Sequence, residues 1–119
     1  MIAKLIKQFI NNGRQPVVSV SPAATHPLWT FKVENGKMRS YVGTEGLGRR
    51  SQDLPAAYAL NGSAYIIAPN HLREHRSFIP DTTEAFVMEE PVYALDIDTA
   101  FDFAFAEMIV TRDPGLANA

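Results

Sequence analysis

Two aspartates separated by a single isoleucine lie near the C-terminal end of the sequence. Asp96 and Asp98 follow the apolar run at residues 91–95 and precede a segment with helical spacing. In a strand, residues two apart point to the same side, so the two carboxylates would share one face. Like charges held so close repel each other unless a cation lies between them. The pair therefore suggests a divalent-metal site, with one alternative for Asp98: it or Thr99 could cap the following helix.

A second candidate is the sequence His71-Leu72-Arg73-Glu74-His75, which spells H-x-x-E-H. On a helix this pattern places two imidazoles one turn apart, as inverted zinc peptidases require. The same five residues contain one apolar side chain, so they also resemble the solvated face of a surface helix. Because three fixed positions within five residues arise by chance, we favour the solvated face over the zinc site.

A glycine-rich loop precedes two arginines. Gly43, Gly46 and Gly48 are followed by Arg49 and Arg50, and backbone N–H groups and guanidinium groups are suitable donors to an anion. The glycine spacing matches neither a Walker loop nor the G-x-G-x-x-G pattern. The loop alone therefore favours a flexible exit from a hairpin over an anion site.

The composition narrows the classes of function. The chain has 119 residues, which is long enough for one domain with a core. It is 46% hydrophobic and 20% charged, as is ordinary for a globular protein. A net charge of −2 provides no broad basic field, so we expect no nucleic-acid partner. The lack of cysteine excludes disulfides and thiolate chemistry and fits a reducing cytoplasm. The apolar residues of the N-terminal segment have helical spacing, and no segment has the length of a membrane span, so we expect no membrane partner.

A series of short elements must position these groups. The pattern predicts helices that end at about Asn12-Gly13, cover residues 70–78 with Asn70 as the cap, and cover residues 98–110. It predicts buried strands at residues 16–22 and 61–69 and an extended segment at residues 85–95. Asn35-Gly36 between alternating segments, residues 29–33 and 37–42, predicts a β-hairpin. Together these elements indicate α/β layers with an appended hairpin.

Three segments of the chain resemble one family. The segments "VVSVSPAATHPLWTFKV", "RRSQDLPAAYALNGSAYII" and "LDIDTAFDFAFAEMIV" are similar, in order and spacing, to the C-terminal half of the acylneuraminate cytidylyltransferases. These are the CMP-sialic acid synthetases and their relatives that act on similar nonulosonic acids. The resemblance runs from about Ile2 to Val110 and therefore covers most of the chain.

The resemblance implies roles for individual residues. Asp96 and Asp98 match the aspartate pair that binds Mg²⁺ in the family. Ser77 stands where the family can carry a second aromatic beside Phe78. The resemblance implies that Asn61, Tyr65 and Phe78 bind the substrate near the sugar. It implies that Arg49, Arg50 and Gln52 bind near the substrate carboxylate and phosphates.

The fold implied by the resemblance is α/β: a truncated Rossmann-like nucleotidyltransferase layer with a protruding β-hairpin dimerisation arm. Residues 1–119 would form a single domain, with the arm at about residues 29–52. The glycine- and lysine-rich loop that cradles CTP in the family has no counterpart in these residues. We therefore expect the C-terminal portion of a cytidylyltransferase that couples CTP to a sialic-acid-like sugar acid, inactive alone. Its Mg²⁺ would bind weakly without nucleotide, because Mg²⁺ takes most of its other ligands from substrate and water.

The expected partners are a second copy of the chain in a cytoplasmic homodimer, a sugar-acid ligand, and a separate chain that carries the N-terminal half. Whether the chain is an enzyme stays open, because the CTP-binding loop is absent. An alternative from another class is a non-catalytic dimeric module that binds an acidic sugar or a partner protein through the same pocket. The zinc peptidase is a third, less favoured alternative.

Overall fold

The computed structural model describes residues 1–118, and the chain divides into two compact units. The first unit comprises Met1–Ser21 and the chain from Leu60 onward, and the second comprises Pro22–Ala59. The helices are α1 (Ile2–Asn11), α2 (Pro69–His75) and α3 (Ala100–Arg112), and the strands are β1 (Val17–Pro22), β2 (Phe31–Glu34), β3 (Lys37–Ser40), β4 (Tyr58–Ile66) and β5 (Glu84–Val87). The α/β class is therefore confirmed, whereas the single domain, the Rossmann-like layer and the dimerisation arm stay predictions. None of the helices in residues 1–118 combines the length and the apolar character needed to cross a bilayer.

Helix α1 packs through Leu5, which is 3% exposed. It ends where the sequence predicts, because Gly13 has a φ of 77°, a left-handed conformation that glycine adopts without strain. Two side chains of α1 then reach β5: Gln8 Nε2 and Asn12 Nδ2 donate to Glu84 Oε2 at 3.0 and 2.9 Å. These two hydrogen bonds, from Gln8 and then Asn12, lower the pKa of Glu84.

The sheet of the first unit has the order β4-β1-β5, so β1 is the central strand. Strands β1 and β5 run parallel, with Val17 beside Glu84 and Val20 beside Val87. The prediction of a buried strand at residues 16–22 is confirmed, since Val17 is fully buried. A run of β-branched residues suits a position with a neighbouring strand on both sides.

The two faces of β1 differ in chemistry, because alternate residues of a strand point to opposite sides. Val18 and Val20 line a groove of about 350 Å³ together with Ala85 of β5. Ser19 and Ser21, on the other face, are 0% and 2% exposed. Two buried hydroxyls in the central strand require hydrogen-bond partners, and they find them on β4.

The strand predicted at residues 61–69 is present as part of β4, but the prediction that it is buried is wrong, because β4 is mostly exposed. Within it Asn61, Ala64 and Ile66 are half-buried and the other residues are exposed. The three-residue step from Asn61 to Ala64 breaks the two-residue period of a strand, and Gly62, with a φ of 71°, lies in the break. Because β4 is an edge strand, one of its sides has no neighbouring strand to bury it.

Two further boundaries differ from the sequence pattern. The extended segment ends at Val87, and Pro91–Ala94 form a 3-10 turn instead of continuing the strand. Helix α2 begins at Pro69, with Ala68 at the N-cap position that the pattern assigns to Asn70. Both corrections have one cause: proline has no N–H for a strand ladder and is preorganised for the first position of a helix or turn.

The second unit contains the predicted hairpin. Strands β2 and β3 are antiparallel, and the pair Glu34 and Lys37 closes a two-residue loop. Asn35 and Gly36 in that loop have φ values of 51° and 75°, as a type I′ turn requires. Val33, which is 71% exposed, faces Met38 across the strands. The hairpin is therefore confirmed.

The segments before and after the hairpin are held to each other. Trp29, in the 3-10 turn Pro27–Trp29, donates its indole N–H to the carbonyl oxygen of Gly46 at 2.9 Å. A Cβ at Gly46 would collide with the side chain of Leu28, so only glycine fits there. The glycine-rich loop therefore contains an ordered packing position that its composition did not predict.

Candidate functional site

Asp96 and Asp98 lie in the irregular segment between the 3-10 turn and α3, and both are exposed. They do not lie on a strand, so the shared strand face that the sequence suggested does not exist. Thr99 is the N-cap of α3, and its Oγ1 accepts the N–H of Asp102 at 3.1 Å. The capping alternative is therefore confirmed for Thr99, and the Asp98 carboxylate is not used by the helix.

Asp102 completes a capping box that fixes the backbone just before α3. Its Oδ2 accepts the Thr99 hydroxyl at 2.7 Å, the Thr99 N–H at 2.9 Å and the Asp98 N–H at 3.2 Å. The hydrogen bond from the Thr99 side chain, followed by those from the Asp98 and Thr99 backbones, lowers the pKa of Asp102. The capping box thus orders the backbone that carries Asp98 and leaves the Asp98 carboxylate in solvent.

Two exposed carboxylates on an ordered loop fit a magnesium ion in one respect. Mg²⁺ is commonly bound by one or two protein carboxylates, with water and substrate phosphate as the other ligands. Within residues 1–118, no group of three or more histidine, aspartate or glutamate side chains is placed to hold a metal. Asp96 and Asp98 could therefore supply part of a shared site, but not a closed protein cage.

Tyr65 and Phe78 come together although they belong to different elements. Tyr65 is near the end of β4. Phe78 follows α2, whose C-cap residue Arg76 has a left-handed conformation with a φ of 51°. The ring centroids are 6.0 Å apart and the planes meet at 76°, an edge-to-face contact. The rings are 42% and 48% exposed, so they form an aromatic surface open to solvent. Ser77, between them in sequence, accepts the N–H of Ile79 at 3.0 Å.

Asn61 is engaged by the sheet. Its Oδ1 accepts the Ser19 hydroxyl at 2.6 Å and the Ser63 N–H at 3.1 Å. Its Nδ2 donates to Ser21 Oγ at 2.9 Å and to Met88 Sδ at 3.3 Å. Two donors and two acceptor positions are all that a carboxamide offers. Asn61 would therefore have to exchange a structural hydrogen bond for a substrate hydrogen bond.

Arg49, Arg50 and Gln52 belong to the second unit, and all three are exposed. Gln52 lies in the 3-10 turn Ser51–Asp53, and Arg50 Nε is 3.4 Å from Asp53 Oδ2. The Arg50 side chain is 77% exposed, and ion pairs at such positions contribute little to stability. An anion could therefore recruit either guanidinium at small cost.

The H-x-x-E-H segment forms α2 as predicted, but it does not assemble a zinc site. The rings of His71 and His75 are 6.0 Å apart at 79°, and His75 Nε2 is 4.0 Å from Glu74 Oε2. A zinc peptidase needs three protein ligands around the ion, and no such group of three exists within residues 1–118. Arg73, Glu74 and His75 are exposed, as a solvated helix face requires. His71 departs from that expectation, because its Nδ1 is buried and has no hydrogen-bond partner among the described residues.

Asp102, Ser19 and Ser21 are the residues that the sequence analysis missed. Asp102 had a readable signal, because Thr99-x-x-Asp102 has the spacing of a capping box. The two serines had none that is local, since their partner Asn61 lies 42 and 40 residues away in sequence.

Comparisons with known proteins support the family resemblance. The chain is 27% identical over 110 residues to post-translational flagellin modification protein B of Campylobacter coli. The matched region covers 92% of this chain and 46% of that protein. It is 30% identical over 95 residues to the CMP-N,N'-diacetyllegionaminic acid synthase of Legionella pneumophila. The matched region covers 79% of this chain and 40% of that enzyme. No protein-family profile matches the chain.

The chain thus spans about half the length of the curated relatives it matches. Within that span the similarity includes the larger part of both units, because it covers about four fifths or more of the chain. Over the part of their length that it matches, the chain is therefore a relative of the acylneuraminate cytidylyltransferases.

Proposed function

We propose that the chain forms the sugar-acid and metal-binding part of a cytidylyltransferase, which couples CTP to a sialic-acid-like nonulosonic acid. The contact between Tyr65 and Phe78 carries this proposal. The family resemblance assigns both rings to the sugar pocket, and they meet edge to face at 6.0 Å from separate elements. Exposed aromatic rings suit the apolar patches and acyl groups of such sugars. The 30% identity to an enzyme named for CMP-N,N'-diacetyllegionaminic acid supports the same substrate class.

In the proposed reaction, the hydroxyl of the sugar acid attacks the α-phosphorus of CTP. A new phosphorus–oxygen bond forms, the bond from the α-phosphorus to the bridging oxygen of the β-phosphate breaks, pyrophosphate leaves, and the hydroxyl proton passes to water. The three phosphates and the sugar carboxylate bring several negative charges together. Arg49 and Arg50 are the cationic side chains proposed to bind those oxygens, and guanidinium groups suit both carboxylate and phosphate. Positioning and charge stabilisation account for most of the catalysis in reactions of this kind.

Asp96 and Asp98 are the proposed magnesium ligands. When bound, Mg²⁺ would neutralise part of the phosphate charge. The capping box supports this role, because it orders the backbone at Asp98 through the 3.2 Å hydrogen bond to Asp102. Asn61 is proposed to line the sugar pocket, and its two hydrogen bonds to Ser19 and Ser21 of β1 hold β4 in place.

Sugar binding can be tested by NMR titration with N,N'-diacetyllegionaminic acid and N-acetylneuraminic acid. We expect saturable shifts at Tyr65 and Phe78 that Tyr65→Ala and Phe78→Ala each abolish. Tyr58→Ala is the matched control, because Tyr58 lies on the same strand and is 48% exposed. Equal shifts with a neutral hexose, or shifts that survive both substitutions, would refute the pocket.

The 119-residue chain by itself should release no pyrophosphate from CTP, Mg²⁺ and either sugar acid. Its sequence contains no glycine- and lysine-rich loop of the kind that cradles CTP in the family. Turnover at an ordinary enzymatic rate would show that other residues hold the nucleotide. Sugar binding without turnover agrees both with this proposal and with a non-catalytic sugar-binding module.

A further inference from the structure

The sequence contains the dipeptide Asn-Gly three times, at Asn12-Gly13, Asn35-Gly36 and Asn61-Gly62. Asn12 is half-buried at the end of α1, where its Nδ2 donates to Glu84 Oε2 at 2.9 Å and its Oδ1 accepts the Gln15 N–H at 2.9 Å. The other two sites differ most in their surroundings. This dipeptide has a known intrinsic chemistry. The backbone nitrogen of the glycine, once it loses its proton, attacks the asparagine Cγ. A Cγ–N bond forms, the Cγ–Nδ2 bond breaks, ammonia leaves, and a succinimide ring results. Water then opens the ring to aspartate or isoaspartate. Glycine permits the reaction because it has no side chain beside the attacking nitrogen.

Asn35 and Gly36 are both exposed at the end of the hairpin. The ring closes only when the asparagine side chain folds back over the following amide, so the turn has to open first. That opening involves few contacts, because β2 and β3 form a separate two-stranded sheet of four residues each. Two-stranded hairpins are marginally stable in water. The reactive conformation is therefore accessible at Asn35.

Asn61 presents the same dipeptide in the opposite environment. Its carboxamide is held by Ser19, Ser21 and Met88 at 2.6, 2.9 and 3.3 Å, and Oδ1 also accepts the Ser63 N–H at 3.1 Å. The two serines belong to the central strand and are buried. Cyclisation would have to break these hydrogen bonds and move β4 away from β1, an opening that is rarer than the fraying of a hairpin end.

We propose that Asn35 is a site of spontaneous deamidation and isoaspartate formation, and that the serine network protects Asn61. The product changes the hairpin in two ways. It adds a negative charge beside Glu34, and isoaspartate places an additional backbone atom in a two-residue turn whose geometry sets the register of β2 and β3. Deamidation therefore alters the part of the chain that the family resemblance assigns to dimerisation.

The test is to incubate the intact chain in mildly alkaline buffer and follow each asparagine by peptide mass spectrometry. Trypsin places Asn35 in residues 33–37 and Asn61 in residues 51–73, so the two sites are read separately. We expect Asn35 to gain one mass unit at least about tenfold faster than Asn61, because the two sites differ in local opening. Labelling by an isoaspartyl methyltransferase should appear in the Asn35 peptide. In concentrated urea the two rates should converge, since both dipeptides are then unprotected.

Ser21→Ala provides a matched variant, because it removes one partner of Asn61 and leaves the hairpin untouched. It should accelerate conversion of Asn61 and leave the rate at Asn35 unchanged. Equal rates at the two sites in native buffer, or faster conversion at Asn61, would overturn the proposal. The proposal would also be overturned if Asn35 deamidated in urea but not in native buffer. That result would show that the hairpin turn does not open enough in the folded chain for the ring to form.

Discussion

Replacing Asn61 by alanine separates a structural role of this residue from a substrate-binding role. The family resemblance assigns Asn61 to the sugar pocket, and the structure shows it bonded to two buried serines of β1. Asn61→Ala removes every hydrogen bond of the carboxamide and leaves the backbone in place. If the side chain mainly holds the sheet, the loss appears as a lower free energy of unfolding.

The magnitude follows from which groups lose their partner. Ser21 is 2% exposed and accepts the Asn61 amide at 2.9 Å. The Ser19 hydroxyl still accepts the Ala64 N–H at 2.8 Å and donates to the Ala64 carbonyl oxygen at 3.1 Å. It therefore keeps hydrogen-bond partners in the variant. One newly unpaired buried hydroxyl costs about 1–3 kcal/mol. We therefore expect Asn61→Ala to lower the free energy of unfolding by about that amount.

The double variant Asn61→Ala with Ser21→Ala provides the control. Removing both partners of a buried hydrogen bond costs less than the sum of the two single changes, because no unpaired group remains. Urea unfolding followed by circular dichroism measures all three variants, with an unchanged m-value as the sign of an unchanged unfolding transition. Strictly additive losses would refute the coupling. A single variant of unaltered stability that no longer binds sugar acid would instead establish a substrate role.

Three further predictions concern other parts of the chain. Asp96→Asn and Asp98→Asn should each abolish Mn²⁺-dependent broadening of neighbouring amides in NMR spectra without loss of stability, because neither carboxylate caps α3. As pH falls, the free energy of unfolding measured in urea titrations should decrease more steeply for the wild type than for Asp102→Asn. The reason is that a carboxyl group whose pKa is lowered in the folded state contributes stability, which is lost as pH falls from the ordinary aspartate pKa through the lowered one. Light scattering should show a dimer at micromolar concentration. The double substitution Val33→Ser with Met38→Ser should convert the dimer to a monomer, because these residues form an exposed apolar pair on the hairpin.

Each of these predictions has a contradicting outcome. Broadening that survives both substitutions, or that centres on His71 and His75, would move the metal site away from the aspartates. Asp81→Asn, at an exposed aspartate elsewhere in the first unit, should leave the broadening unchanged. Equal acid sensitivity of wild type and Asp102→Asn would show that the capping box does not depend on the carboxylate charge. A wild-type chain that scatters as a monomer of 13.2 kDa would count against the arm.

Features that depend on neighbouring residues were readable from the sequence. Asn35-Gly36 predicted the hairpin because a type I′ turn needs two residues with positive φ, and few dipeptides supply them. Gly13 predicted the end of α1 for a similar reason. Pro69 and Pro91 carried equally local information about where a helix and a turn begin, but the apolar residues around Pro91 suggested a continuous extended segment.

Features that depend on distant residues were not readable. The exposure of β4 follows from its position at the sheet edge, which no local pattern specifies. Within the candidate site, the resemblance pointed to Tyr65 and Phe78 and the structure brings them together. The engagement of Asn61 could not be foreseen, because it depends on the pairing of β4 with Ser19 and Ser21 of β1.

The alternation of β1 also has a consequence for how the strand finds its place during folding. The segment Val17-Val18-Ser19-Val20-Ser21 contains valine on both faces, so burial of apolar surface alone distinguishes poorly between neighbouring alignments. A shift by one residue would turn Val18 and Val20 toward the carboxamide of Asn61 and leave that amide without its serine partners. The buried polar network therefore penalises misaligned sheets more than it stabilises the correct one, and it selects a single alignment of β1 against β4.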